Sequence, residues 1–596
     1  MVNIACHICE QGCVLAEGKT GVCGMYEQKD GRIEERFADR YLLVCPISIE
    51  TMPMLHYFPG GKFLQISTTG CNFNCPGCIS AVIVREMPSD SKAFHTLTPE
   101  QIVEKAIEEN CEGIAFLMND PLASFPTFLG VAKLARSKGL KVGCSSNTYF
   151  TPKALDLLVP YLDFINIGMK GFTDKAYYAC GASSGIAPVL RNIRALVCAG
   201  VHVEISSILM KDNARDLLDL AKFIAQLSPA IPLQVMRFIP FESADISQEP
   251  GVREAEAFCF ELRKTLPFVY LFNTPGTTLL HTACPNCNHT VYKRNFHGPM
   301  GAKPYEVPEA SLQDGLCPQC RQGLNMMGVS PQTPYQERDF QGGYPFTRAL
   351  EMVEAMLIAM GVKEKSKLAT AWESLLGKEG LKKLHHTIQT PYTYIQGLRH
   401  FGKIVQVPDA AEELAVYLEE KLLAIESGVA SVTTSPLVYY TMAKPMFYLN
   451  YSRLENQLIE TAGGTSVNKY LESGGRPGLS LTVEKLNELN PDIIFISAFI
   501  SNSVTDFYQD CIELGIEVNA VKNRQIFTPP CPGWDFGSPR WILGLMYMAN
   551  VLHPQIFDFN VMEEATYFYR KFYHMEFSPS RINRSFSKPD REWQWR

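Results

Sequence analysis

The chain has 596 residues, a net charge of -7, 46% hydrophobic and 20% charged residues, and 19 cysteines. That length exceeds the roughly 250–300 residues at which one hydrophobic core stops growing, so two large domains plus small modules are expected, and the acidic balance argues against nucleic acid as the main partner. No uncharged apolar run reaches about 18 residues and no basic-then-apolar leader opens the chain, so membrane insertion and export are not expected, and the cysteines are expected to be metal ligands in the cytoplasm rather than disulfides.

In chain order, Cys6, Cys9, Cys13 and Cys23 lie among Gly12, Gly18, Gly21 and Gly24. Thiols that close in a glycine-punctuated loop suggest a tetrahedral metal or a second iron–sulfur cluster. An apolar run from Tyr41 to Glu50 and the stretch His56-Tyr57-Phe58-Pro59-Gly60 lead to Phe63-Leu64-Gln65-Ile66, a strand that runs into Cys71, Cys75 and Cys78. Three thiolates cannot complete the four-ligand shell of a cubane, so one iron is left open to a small molecule. Zinc sites come more often as CxxC pairs, which argues against half of a zinc site here.

Beyond the loop, helical and strand patterns alternate. Thr98-Pro99-Glu100 opens a helix through Ile102, Val103, Ala106 and Ile107, with Thr98 as N-cap and Pro99 at the first helical position. Strands are expected at 113–118, 141–144, 164–167, 202–208 and 233–238, with helices at 128–138, 153–159, 188–198 and 214–227 between them. Repeated units of this kind imply a parallel sheet that curls into a partial (β/α) TIM-like barrel, with its active site at the carboxyl ends of the strands.

The CxxxCxxC loop, followed by Asn119-Asp120-Pro121, Lys170-Gly171-Phe172, Val203-Glu204 and Arg237-Phe238-Ile239-Pro240, resembles radical S-adenosylmethionine (SAM) proteins of the AmmeMemoRadiSam group, relatives of glycyl-radical-enzyme activases, over about residues 6–328. The resemblance implies a [4Fe-4S] cluster on Cys71, Cys75 and Cys78 whose open iron chelates SAM. It places Asn119 and Asp120 at the SAM amino group, Asn147, Lys170 and Glu204 along its ribose and carboxylate, and Arg237 at the far strand end, with Lys170 and Arg237 as catalytic candidates. Gly168-Met169, Ile79-Ser80, and Thr51 with Met52 depart from the family pattern, which points to a rebuilt substrate side.

Cys284-x-x-Cys287 and Cys317-x-x-Cys320 form paired knuckles that favour structural zinc over a further iron–sulfur cluster, with His289 a spare ligand. A linker rich in Pro, Gln and Gly covers 329–344, and helices are expected at 346–360, 368–384 and 410–428. From Val438 to Tyr573, through Val438-Tyr439-Tyr440, Leu489-Asn490-Pro491-Asp492 and Gly533-Trp534-Asp535-Phe536-Gly537, the chain resembles the two-lobed α/β (class III) substrate-binding proteins of ABC importers for vitamin B12, haem and siderophores. That resemblance implies a cleft near Tyr440, Trp534 and Asp535 for a corrinoid, haem-like or other metallocofactor ligand, with the first lobe short of strands.

The domains expected are a Cys-rich segment 1–50, a radical SAM core 51–282, a zinc-ribbon-like module 283–328, the linker, a binding-protein-like domain 345–575 and a basic tail 576–596. The whole reads as a radical SAM enzyme acting on a small molecule or metallocofactor, served by an electron donor such as flavodoxin or ferredoxin. Its rivals are an activase for a partner protein and a non-enzymatic cofactor carrier or redox sensor.

Overall fold

The structure is a computed structural model that describes residues 2–240, 245–309, 313–377, 379–472, 477–500 and 502–578. The basic tail, with Trp593 and Trp595, lies outside the described residues from 579 on.

The first half is built on strands β1 (Leu43–Ser48), β2 (Lys62–Ser67), β3 (Gly113–Phe116), β4 (Lys141–Ser146), β5 (Phe164–Met169), β6 (His202–Leu209), β7 (Leu233–Arg237) and β8 (Val269–Phe272). They form one eight-stranded sheet in the order β8-β7-β6-β5-β4-β3-β2-β1. All neighbours from β2 to β8 run parallel, and only β1 is antiparallel to its neighbour. Crossover helices cover the outer face, and each starts where the sequence supplies a cap. The helix Pro99–Glu108, for example, has Thr98 accepting from Gln101 N–H while the Gln101 side chain accepts from Thr98 N–H at 2.9 Å.

Side chains alternate across each strand, so Ile66, Ile114, Val142, Ile165, Val203 and Val235 pack under the helices. The opposite faces point into the barrel, where the connection between β1 and β2 is threaded. Glu204, fully buried, accepts from the backbone N–H of Leu55 at 2.9 Å and of His56 at 2.8 Å. Asn166 donates to the Pro53 carbonyl at 3.2 Å, and His56 Nε2 lies 2.5 Å from the Tyr270 hydroxyl. This plug closes the amino-terminal mouth of the barrel.

The paired knuckles belong to a three-stranded antiparallel ribbon of β9 (Thr282–Ala283), β10 (Thr290–Phe296) and β11 (Ala302–Glu306). Arg294 on β10 reaches into the barrel, where it donates to Glu50 at 3.0 Å and to the Leu55 carbonyl at 3.0 Å. The ribbon is therefore anchored in the plug and does not stand apart as a separate module.

The linker carries no helix or strand over 329–342, yet it is strapped to the barrel. Buried Glu337 accepts from Ser48 N–H at 2.8 Å and the Thr51 hydroxyl at 2.5 Å, and pairs with Lys303. Helices α1 (Gly343–Ala359), α2 (Lys365–Leu375), α3 (Gly380–Thr387), α4 (Pro391–Ile404) and α5 (Pro408–Val429) follow, with no strand among the described residues of that stretch. The shortage of strands expected in the first lobe is what the structure has. The second lobe holds a mixed sheet around β12 (Leu437–Met442), flanked by β13 (Lys444–Leu449) and Ile493–Ile496.

The two halves share a core. The α1 residues Phe346, Leu350 and Val353 pack with Ile47, Phe63, Ile83 and Phe164 of the barrel, and Gly343 N–H donates to Gln65 at 3.0 Å. At the other sheet edge, Lys444 pairs with Glu256 at 2.7 Å and Arg253 with Asp510 at 2.7 Å.

Glu50 and Arg294 are both fully buried, and burial pushes the Glu50 carboxyl up to about 7 against the pull of Arg294. Removing one partner of such a pair strands the other charge and costs about 3–5 kcal/mol, whereas replacing both with apolar groups is often neutral. Arg294→Met should therefore lower the midpoint of denaturant unfolding sharply, and adding Glu50→Leu should recover most of the loss.

Candidate active site

The cysteine loop leaves β2 at Ser67 and is fixed by side chains from the next two strand ends. Asn119 accepts from Thr68 N–H at 3.0 Å and donates to the Thr68 hydroxyl at 2.9 Å and the carbonyls of Thr69 and Gly70 at 3.0 and 3.2 Å. Asp120 accepts from Asn147 N–H at 2.7 Å, Leu122 N–H at 3.0 Å and the Ser146 hydroxyl at 3.1 Å. Asn147 in turn donates to the Asn72 side chain at 2.7 Å, inside the loop. Gly70 sits at φ +77°, and a side chain there would come within 2.6 Å of Met25. Four polar groups and one glycine thus set the position of Cys71 before any ligand arrives.

Cys71, Cys75 and Cys78 are half-buried. A hydrogen bond from the Cys180 thiol, outweighing burial, pulls Cys75 down to about 6, and Lys170 and Arg85 add to it. Burial would lower the Lys170 pKa, but the charges of Cys75, Cys180, Cys71 and Cys78 outweigh it and hold the amine as a cation facing the loop. Among the described residues the one group of ligand atoms all within 4.8 Å of one another is Cys284, Cys287, Cys317 and Cys320. The loop thiols are thus not drawn together around a single-ion position. Three thiols at a strand end, spread wider than one tetrahedral ion needs and faced by a cation, fit an iron–sulfur cluster with an iron left for a small ligand.

The structure brings Asn119, Asp120, Asn147 and Lys170 together around the loop. Asn119 is different from the expectation in one respect: its amide is committed to the loop backbone, so it positions Cys71 and is not free for the SAM amino group. Glu204 is a clear correction. It lies near the start of β6, where its carboxylate holds the plug at the opposite mouth of the barrel from the cysteine loop. Arg237 ends β7 almost fully buried, paired with Glu249 at 2.8 Å and donating to the Asn273 carbonyl at 3.2 Å. Its Nη2 has no hydrogen-bond partner among the described residues. Asn72 and Cys180 were missed by the sequence reading. Asn72 could have been found as the polar residue inside the loop, whereas Cys180 carries no local signal.

At the ribbon, Cys284 and Cys320 sulfurs are 3.5 Å apart and Cys287 and Cys317 sulfurs 3.6 Å apart. A tetrahedral zinc with about 2.3 Å bonds sets sulfurs about 3.8 Å apart, so this spacing fits one ion. His289 is exposed and outside the group. At the chain start, Cys6 lies in a small core with Met25 and Tyr26, against which Cys13 and Cys23 pack.

In the second half Tyr440, Trp534 and Asp535 are all fully buried and do not line the pocket found there. Asp535 accepts from Ala498 N–H at 2.8 Å, the Ser497 hydroxyl at 2.9 Å and the Tyr440 hydroxyl at 3.2 Å, a knot that ties the sheet to the loop 533–540. It is the next residue, Phe536, that turns outward, with the Arg453 guanidinium 4.1 Å over its ring. The pocket there has a volume of about 110 Å³ and is walled by Arg453, Phe536, Phe499 and Asn450 from the second lobe, Arg348 and Tyr344 from α1, His385 from α3, and Phe296 to Pro299 from the ribbon. Pockets for drug-sized ligands run to roughly 300–1,000 Å³, so the corrinoid or haem expected from the resemblance does not fit this one as it stands. The ribbon hairpin that roofs it touches the barrel rim: Met300 N–H donates to Asn273 at 2.8 Å, and Asn273 donates to the Arg237 carbonyl at 2.8 Å.

A family model of the radical SAM superfamily matches residues 66–224, and one of periplasmic binding proteins matches residues 382–530. An uncharacterized protein of Methanocaldococcus jannaschii is 30% identical over 300 residues, which cover 49% of this chain and 88% of that relative. Among solved structures, a periplasmic solute binding protein of Veillonella parvula is 25% identical over 32% of this chain and 60% of its own, with a TM-score of 0.29. Helicobacter pylori CeuE with nickel bound is 21% identical over 32% of this chain and 61% of its own, with a TM-score of 0.28. The chain thus spans about 60% of the length of these solved binding proteins.

Asn119→Ala removes the partner of one buried N–H and two carbonyls, each costing about 1–3 kcal/mol if left unsatisfied. The variant should stay folded by circular dichroism but retain clearly less iron per chain than the parent after anaerobic reconstitution and gel filtration.

Proposed function

Since the chain belongs to the radical SAM superfamily and carries a periplasmic-binding-protein-like domain, we propose that it is an enzyme that starts radical chemistry on a small molecule held between its two halves. The observation that carries this reading is the loop of Cys71, Cys75 and Cys78, pinned at the carboxyl ends of the barrel strands by Asn119, Asp120 and Asn147. Cys71, Cys75 and Cys78 would hold a [4Fe-4S] cluster, which with SAM would supply one-electron reductive cleavage of the sulfonium. The chain's own residues do the rest. Lys170 places a positive charge beside the thiolates, where it offsets their negative charge and suits the SAM carboxylate. Asp120, buried and held by Asn147 N–H, offers a carboxylate toward the SAM amino group, while Arg237 fixes the rim on the ribbon side.

The pocket under the ribbon hairpin is the candidate substrate or second-ligand site. Arg453, 4.1 Å over the Phe536 ring and paired with Glu455, and Arg348, 5.3 Å from Phe499 and paired with Glu351 at 3.2 Å, give the pocket planar cationic and aromatic faces that suit a small ligand with a planar body. A larger metallocofactor would need the hairpin to lift. Cys284, Cys287, Cys317 and Cys320 are read as a closed structural zinc site. None of the 19 cysteines is paired in a disulfide, which suits a reducing compartment such as the cytoplasm. No described helix is long and apolar enough to cross a membrane.

The test is anaerobic reconstitution with iron, sulfide and SAM under a low-potential reductant. The parent should form 5'-deoxyadenosine, and the Cys71→Ala, Cys75→Ala, Cys78→Ala triple variant should form none while keeping about one zinc per chain. Undiminished SAM cleavage in the triple variant would overturn the reading.

A further inference from the structure

We propose that Cys6, Cys9, Cys13 and Cys23 hold a redox-active iron–sulfur centre that serves as the entry point for electrons bound for the Cys71, Cys75 and Cys78 site. The proposal rests on the reading of that site given above and adds a second centre to it.

The first argument is the donor set. A short antiparallel pair, Ile4 opposite Leu15 and Ala5 opposite Val14, brings Cys6 N–H to the Cys13 carbonyl at 2.8 Å. A tight turn, with Gly24 N–H on the Gly21 carbonyl at 2.9 Å, folds Cys23 back toward them. The Cys13 sulfur lies 3.4 Å from where a side chain at Gly21 would begin, so the turn is closed down on the thiols. Cys9 opens the turn that leads to Cys13, with Gly12 N–H on the Cys9 carbonyl at 3.5 Å. Yet these four sulfurs are not drawn within 4.8 Å of one another, as the ribbon tetrad is. The same molecule thus holds one four-cysteine set at single-ion spacing and another that is gathered but wider. A cubane spreads its thiolates wider than one tetrahedral ion does, and four protein ligands leave no iron open for SAM, so such a centre is suited to passing electrons.

The second argument is where the segment docks. Gln11, between Cys9 and Cys13, donates to the carbonyl of Asn72 at 2.6 Å and to that of Gly181 at 2.8 Å. Asn72 lies inside the cysteine loop, and Gly181 follows Cys180, the thiol beside Cys75. Met25 fills the space over Gly70, and the Cys23 carbonyl is 3.5 Å from the same point. Tyr26 donates to the Leu122 carbonyl and accepts from Phe125 N–H, both at 2.8 Å, which locks the segment to the turn after Asp120. A purely structural lid would need no thiols at this contact, and a remote zinc module would have no reason to grip the loop backbone.

The transfer is of one electron. A reduced low-potential donor protein gives up one electron to the N-terminal centre, which would pass it to the Cys71, Cys75 and Cys78 site, where SAM would take it up as its sulfur–C5' bond breaks to methionine and a 5'-deoxyadenosyl radical.

The experiment uses the full chain, reconstituted anaerobically with iron and sulfide. The Cys71, Cys75, Cys78 triple alanine variant should keep about four irons per chain and show a dithionite-reduced paramagnetic signal that SAM does not perturb. A Cys9→Ala, Cys23→Ala variant should lose those irons and keep the SAM-perturbed signal. Its single-turnover SAM cleavage by reduced flavodoxin should slow at least ten-fold, with dithionite restoring it. A triple variant that holds zinc and no iron overturns the proposal, as does an unchanged flavodoxin-driven rate in the double variant. If the double variant does not fold, the iron count of the triple variant decides alone. A parent signal that SAM fails to perturb would instead count against the main site, and the triple variant would still judge the N-terminal one.

Discussion

A parallel sheet that curls without closing leaves two free edges and an interior that must be filled, and the rest of this molecule depends on how that is done. The amino-terminal mouth is filled by the β1–β2 connection, whose backbone groups are satisfied by Glu204, Asn166 and Arg294. α1 packs with Ile47 of β1 and Phe63 of β2, and Lys444 and Phe447 pack against Gly276 in the turn after β8. Buried backbone polar groups cost too much to leave unpaired. The plug therefore recruits polar side chains from three strands and the ribbon, and so ties the ribbon and linker to the barrel.

This arrangement changes what the fusion does. A flexible tether would only raise the local concentration of ligand. Here the linker is strapped through Glu337, the halves share one core, and the pocket has walls from both. Its roof hairpin is hydrogen-bonded through Asn273 to the rim that also carries Arg237. The second domain is thus packed into one body with the barrel, and the pocket hairpin is linked to the barrel rim through Asn273.

Much of this was legible in the sequence where a local rule decides. The Thr98-Pro99 start, the strand and helix alternation and the three-thiol loop all follow from caps, periodicity and ligand spacing. Glu204 was misplaced because motif order does not say which end of a strand a residue occupies. Trp534 and Asp535 were misplaced by a single position, since in an irregular loop the direction of Phe536 depends on the knot that Asp535 makes with Ser497 and Ala498. The pocket could not be read at all, because its walls come from segments as far apart as Phe296, Arg348, His385 and Arg453. The strap at Glu337 was hidden for the same reason: a lone glutamate in a Pro- and Gln-rich stretch gives no sign of the buried Lys303 that meets it.

The central claim is that the pocket walled by both halves takes a small molecule that the radical chemistry of the cysteine loop acts on. It is tested most directly by measuring 5'-deoxyadenosine formation by the reconstituted full chain with fractions of a cell extract separated by size. The account predicts that the low-molecular-mass fraction stimulates turnover and that Arg453→Ala abolishes the stimulation without changing basal SAM cleavage. Stimulation by the protein fraction alone, unaffected by Arg453→Ala, would contradict it.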